Sequence, residues 1–135
     1  MLGDVLYTVT GSFGIPIHVN EAREFCFQRH IGLIRPAENT DSKWLFWLLL
    51  SPQVFQQAKE SATGAAQLTV SLKSIRNFNV PSMSLAEQKK IARVLDDCFN
   101  NVRELQNSYT DKLQDLGFLK RSILKKAFAG ELVKE

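Results

Sequence analysis

Long apolar runs are missing from this chain: the longest, Trp44 to Leu50, has seven residues, whereas a membrane-spanning helix needs about 20. The opening Met1-Leu2-Gly3-Asp4 lacks the charged leader and apolar core of a signal peptide. The expected setting is therefore the cytoplasm, with no membrane contact. Cysteine is also scarce. Cys26 and Cys98 allow at most one bridge and have no metal-ligand spacing, so both are expected as buried thiols in a reducing compartment, Cys26 in a strand and Cys98 on a helix. His18 and His30 are the only histidines, and neither has acidic or cysteine partners at ligand spacing, which leaves structural or surface roles and no metal. Charge of one sign is nearly balanced. Residues 1–83 carry seven Lys/Arg against six Asp/Glu and residues 84–135 ten against eight, for a net charge of +3. Neither half is a basic arm. The one dense cluster, Lys120, Arg121, Lys125 and Lys126, reads as a solvated helix end before it reads as a phosphate site, and composition by itself does not suggest DNA.

Catalytic signatures are equally absent. Gly11-Ser12-Phe13-Gly14 has the look of a phosphate loop, yet no Gly-Lys-Ser/Thr follows, so a hairpin turn is the better reading. No local Ser-His-Asp pattern exists, and no glycine-rich cofactor loop. Asn79-Val80-Pro81-Ser82 is not the Asn-Pro-Pro-aromatic signature of an amino-methyltransferase. The chain is expected to catalyse nothing by itself and to hold no cofactor.

What the chain does have is a long helical period. None of the four prolines falls after Pro81, and Ser84-Leu85-Ala86-Glu87 forms a capping box that sets the start of a helix. Ile91, Leu95, Cys98, Val102, Leu105 and Tyr109 then recur in steps of four and three, the seam of a coiled coil. The period skips one place to Leu113 and resumes at Leu116, Leu119, Ile123 and Ala127. The skip and Gly117 together predict a bend or a change of partner near residues 110–117. Lys125 and Lys126 suit the negative end of the helix dipole, and Gly130 is placed to end the helix in a left-handed conformation. From Ser84 to Ala129 the axis spans about 70 Å at 1.5 Å per residue.

Upstream, Val5 to Thr10 alternates as a strand, breaks at Gly11-Ser12-Phe13-Gly14, and returns as Ile17 to Val19. Phe13 at the turn is expected to tuck inward. Phe25 to Phe27 and Ile31 to Ile34 read as extended up to Arg35-Pro36. Asp41 or Ser42 caps an apolar helix, Trp44 to Leu50, that should be buried. Ser51-Pro52 starts a second helix carrying Val54, Phe55 and Ala58 and ending before Gly64. Gln67 to Val70 reads as extended, Ser71 to Ile75 as one helical turn, and Phe78 to Val80 as a last strand. The fold class is α+β: a small mixed domain over residues 1–80, then the long helix and a short tail over 81–135.

Val80-Pro81, Leu85-Ala86-Glu87-Gln88-Lys89-Lys90-Ile91-Ala92, Leu95-Asp96 and Ile123-Leu124-Lys125-Lys126-Ala127-Phe128-Ala129-Gly130-Glu131-Leu132 resemble the conserved helix of a type I restriction-modification specificity subunit. Gly3-Asp4-Val5-Leu6, Gly11-Ser12-Phe13-Gly14, Thr63-Gly64-Ala65-Ala66-Gln67 and Val70-Ser71-Leu72 resemble the later part of that family's target recognition domain. The pattern departs in length. Such subunits carry two recognition domains and two long helices, so this chain looks like a fragment or a shortened half-subunit.

The resemblance implies a DNA reader. Glutamine pairs bidentately with adenine and arginine with guanine, which makes Gln28, Arg29, His30, Thr63 and Gln67 candidate DNA-binding residues, with ordinary polar loop residues as the equal alternative. Lys59, Lys73 and Arg76 flank the same loop and suit phosphate contacts. The family's two helices lie antiparallel, so a single-helix chain should pair with a second copy through Ile91, Leu95, Cys98, Val102, Leu105, Tyr109, Leu113 and Leu116, producing a palindromic composite target. Modification subunits, docked on the helices, would supply S-adenosylmethionine and methyl transfer, and the restriction subunit would join indirectly. Two other roles stay open: an interference partner that occupies the coiled coil without reading DNA, and a plain coiled-coil dimerisation module with a small cap.

Overall fold

The computed structural model describes residues 1–22 and 24–132. Among the described residues seven elements follow one another: β1 (Val5–Thr8), β2 (Pro16–His18), β3 (Ile31–Ile34), α1 (Ser42–Leu50), α2 (Pro52–Ser61), α3 (Leu72–Arg76) and α4 (Leu85–Phe128). The class is α+β. The strands form one three-stranded sheet in the order β2-β1-β3, with both neighbours antiparallel to β1. Side chains alternate across a strand, so Val5, Tyr7 and Val9 share one face and meet Leu49 of α1 and Val54 of α2 in the core. Ile34, Leu45, Phe46, Leu48, Ile75 and Phe78 close around them. On the other face Leu6 pairs with Ile17 and Leu33, and Phe25 lines the same hollow as Leu6 and Ile17. Among the described residues no helix is long and apolar enough to cross a membrane.

Helix starts follow the capping chemistry written in the sequence. The Asp41 carboxylate accepts from the Lys43 and Trp44 amides at 3.1 and 2.9 Å, and Ser51 accepts from Val54 with Pro52 in the first turn. At α4 the Glu87 carboxylate accepts from the Ser84 amide at 2.9 Å and from its hydroxyl at 2.7 Å. Those bonds hold the Glu87 carboxyl below its ordinary pKa. The far end of α4 closes with Gly130 at φ +73. There the Gly130 amide donates to Ala127 at 3.1 Å and the Glu131 amide to Lys126 at 2.9 Å, the paired bonds of a Schellman motif.

The first compact unit reaches Leu95, and the rest of α4 belongs to the second. Gln88 explains why the first turns of α4 join the sheet-bearing unit. Its side chain is buried, accepts from the Asp41 amide at 2.8 Å, and donates to the carbonyls of Asn39 at 3.3 Å and Met83 at 3.1 Å. Ala92, one turn on, is 2% exposed, a contact that leaves little room for a larger side chain.

Several expectations from the sequence are corrected. Residues 25–27 form no strand and Cys26 is exposed; the Phe25 and Phe27 rings lie near each other instead, 6.3 Å between centroids. Cys98 is exposed rather than buried, since the seam it lies on has no cover within a single chain. Residues 78–80 form no strand: the Gln57 side chain accepts from the Asn79 amide at 2.6 Å and donates to its carbonyl at 3.0 Å, replacing a ladder with one carboxamide. Residues 67–70 form no regular strand, although they run along Val9 to Gly11 with Thr69 bridging both Thr10 and Thr63. The helix of apolar residues 44–50 buries only Trp44 and Leu49 and leaves Leu50 exposed, since packing from one side covers one face. α4 is one unbroken helix through residues 110–117, Gly117 included, since an isolated glycine weakens a helix by only about 1 kcal/mol; an unbroken helix is compatible with the bend or change of partner expected there. The tail expected after Gly130 lies outside the described residues from 133 onward.

Asp4 is a second buried polar side chain among the described residues. Arg35 grips it at 3.0 Å through both Nε and Nη2, and the Met1 amino group donates at 2.9 Å. The Arg35 bonds hold its carboxyl at about 2, below the ordinary 3.8. A depressed carboxyl contributes stability that is full above the unfolded value and lost as pH falls through the folded one. The thermal midpoint should therefore decline between pH 3.8 and about 2 more steeply in wild type than in Asp4→Asn; parallel curves would contradict this. Gln88→Ala should lower the unfolding free energy by about 1 to 3 kcal/mol in urea titrations. The exposed neighbour change Lys89→Ala should move it by less than about 0.5 kcal/mol.

Candidate nucleic-acid interface

Three loops meet where β1 ends. The first is the turn between β1 and β2, with Gly11 and Gly14 at φ +73 and +89, a region that side chains disfavour. Thr8 staples it: its hydroxyl donates to the Ser12 carbonyl at 2.7 Å and accepts from the Ile15 amide at 2.9 Å. Phe13 stacks on Phe55 of α2, with centroids 6.0 Å apart and planes 17° apart. Phe13 is half-buried against the exposed Phe55 ring and lies outside the core rather than tucked into it, and Ser12 is exposed at the tip. The Gly11 and Gly14 amides are already committed to the Leu68 and Thr8 carbonyls, so they are not the free donors of a phosphate loop.

The second loop enters β3. The Ile31 amide donates to the Gln28 carbonyl at 3.1 Å and the Val9 amide to the His30 carbonyl at 2.9 Å. This places Gln28, Arg29 and His30 beside the last residues of β1. Gln28 and Arg29 are exposed, and Arg29 Nε donates to His30 Nε2 across 3.5 Å.

The third loop takes over the same edge of β1 where residues 28–30 leave it. The Val70 amide donates to Val9 at 2.8 Å, Thr69 bridges Thr10, and the Gly11 amide donates to Leu68 at 3.0 Å. Thr63 and Thr69 close the loop on itself through reciprocal backbone bonds of 2.9 and 2.8 Å, and the Thr69 hydroxyl reaches that of Thr10 at 3.3 Å. Thr63, Gln67 and the residues between them are exposed. Gly64 sits at φ +121 and a Cβ there would overlap the Gln67 carbonyl oxygen, so only glycine fits.

Of the expected DNA-binding residues, Gln28, Arg29, His30, Thr63 and Gln67 are thus brought to one end of the sheet. Lys59, in the last turn of α2, and Lys73, on α3, are exposed and bracket the base of the third loop in the chain. Leu72 of α3, itself exposed, lies close to Gly32, where a Cβ would be 3.2 Å from its Cδ2. Arg76 is exposed in the last turn of α3, farther along the chain from the loop than Lys73. Gly11 and Ser12 belong to the same surface, although the sequence marked them only as a turn; the bond from Gly11 to Leu68 and the bridge from Thr10 to Thr69 have no local signal. Among the described residues no group of three His, Cys, Asp or Glu side chains is placed to hold a metal.

The seam residues Ile91, Leu95, Cys98, Val102, Leu105, Tyr109, Leu113 and Leu116 are all exposed. At its start Met83, Ile91, Val94 and Leu95, with Glu87 and Lys90, line a groove of about 400 Å³. Lys120, Arg121, Lys125 and Lys126 are solvated, with the Arg121 guanidinium over the Phe118 ring at 4.7 Å.

The model of the type I restriction modification DNA specificity domain matches residues 2–114. The specificity subunit of the type I restriction enzyme EcoBI from Escherichia coli is 30% identical over 130 residues, which cover 96% of this chain and 27% of that relative. The chain thus spans about a quarter of the length of the curated relative it matches. With a family match that runs from before β1 well into α4, this chain belongs to the type I restriction-modification DNA specificity family.

Proposed function

We propose that the chain reads one half-site of double-stranded DNA with the loops at the end of β1, as the non-catalytic specificity part of a type I restriction-modification assembly. The observation that carries this reading is the convergence of residues 11–14, 28–30 and 63–69 on one end of β1, stapled by backbone bonds yet polar and exposed at their tips. Loops fixed in this way suit base readout, because direct recognition needs side chains held at a defined distance from base edges. Lys59, Lys73 and Arg76 would contact phosphates, which set register and supply the salt-dependent part of affinity. Methyl transfer and its cofactor, S-adenosylmethionine, belong in this reading to modification subunits docked on α4, with the restriction subunit attached through them. A second copy would pair antiparallel along the Ile91-to-Leu116 seam, and its twofold axis would make the composite target palindromic.

The uncovered seam also favours a second reading, in which the chain acts as an assembly or interference module that occupies a partner's helix without specific DNA binding. The two readings differ in what the loops do. In a complex reconstituted with modification subunits, Gln67→Ala should reduce discrimination between target and random duplex by about 1 to 3 kcal/mol, whereas Lys73→Ala should weaken both alike and lower the salt slope by about one unit. Unchanged specificity after alanine replaces Gln28, Arg29, His30 and Gln67 together would favour the interference reading. For assembly, Leu105→Asp puts a charge into the paired seam, a change of several kcal/mol when buried without a partner. Sedimentation should show a wild-type dimer and a monomeric variant; a monomeric wild type at tens of micromolar removes the pairing.

A further inference from the structure

Gln67 is set between two glycines from distant parts of the chain. Gly64, within its own loop, clears the Gln67 carbonyl, and Gly11, in the β1–β2 turn, clears its side-chain amide: a Cβ on Gly11 would lie 2.9 Å from Gln67 Nε2. Both glycines have positive φ, +121 and +73. The backbone bond from Gly11 to the Leu68 carbonyl, 3.0 Å long, fixes the two segments against each other at this point. Among the described residues the Gln67 carboxamide, packed against Gly11, forms no hydrogen bond, so its donor and acceptor are both available to a ligand. A glutamine that reads adenine must offer donor and acceptor together in one plane, to N7 and N6 of the base.

We propose that Gly11 is a positioning residue for base recognition: lacking a side chain, it seats the Gln67 carboxamide against the turn and so fixes adenine as the base read at one position of the half-site. The inference rests on the reading that residues 63–69 face DNA. A side chain at position 11 meets the far end of the Gln67 side chain rather than backbone, so it turns the amide aside while the fold persists. The strain of positive φ is separate, and asparagine tolerates that region better than other side chains do.

The test compares wild type with Gly11→Asn, Gln67→Ala, the double variant and Gln67→Asn. Each full chain, in the complex reconstituted with modification subunits, selects from a pool of randomised duplexes, and urea unfolding of the chain verifies its fold. Wild type should enrich adenine at one position. Gly11→Asn and Gln67→Ala should each lose that preference by about tenfold and keep the preferences elsewhere. The double variant should match Gln67→Ala alone, since no amide remains to displace; mere damage to the fold would make it worse. Gln67→Asn keeps the amide but withdraws it from Gly11 by one methylene, so it should also lose the preference, and it tests the seat even if Gly11→Asn does not fold. If Gln67→Ala loses the preference while Gly11→Asn or Gln67→Asn keeps it, the positioning role is overturned and the DNA-facing loop stands. If wild type enriches nothing, or Gln67→Ala changes nothing, the reading of the loop fails and the positioning role with it.

Discussion

One buried carboxamide joins the start of the long helix to the sheet-bearing unit. Gln88 takes the Asp41 amide and gives both its hydrogens to backbone carbonyls, Asn39 on one side and Met83 on the other. Asp41 is at the same time the cap of α1. The start of α4 and the start of α1 are therefore set by one network, and a buried polar group in it is costly to leave unpaired. Gln57 does the same for the segment before α4, holding the Asn79 backbone from both sides. Two glutamines thus fix a stretch that has no regular structure of its own.

Local chemistry was readable because it is written within a few residues. The capping box at Ser84, the serine cap before Pro52, the hairpin around residues 11–14 and the left-handed Gly130 each depend on spacings of three to five positions. The failures concern partners. An extended run at 25–27 or 78–80 says that side chains alternate, and does not say whether a strand edge is free to receive it. At 78–80 the pairing was made by a side chain 22 residues away. The burial of the apolar run 44–50 was overstated for a related reason, because its composition is apolar all round while α1 meets the sheet on one side.

The candidate site shows the same division. Gln28 to His30 and Thr63 to Gln67 were marked by residue type and by family resemblance, yet nothing in the sequence placed them together. The register of β1 does so, since Val9 bonds to His30 through its amide and to Val70 through its carbonyl. Gly11 marked a turn and Gly64 the end of a helix, and only the fold sets both of them against Gln67. Every residue named on the heptad stripe is exposed; a stripe of this kind reports the demand for a partner without identifying it.

The central claim is that the end of β1 is the face turned to DNA. The most direct measurement is a titration of the nitrogen-15-labelled chain with duplex DNA, followed by backbone amide shifts. The account predicts that shifts concentrate at residues 10–14, 28–31 and 63–69 and at Lys73, while Asn39 to Asp41 and Met83 to Gln88 stay in place. Shifts confined to the solvated cluster from Lys120 to Lys126, with the three loops unmoved, would contradict it.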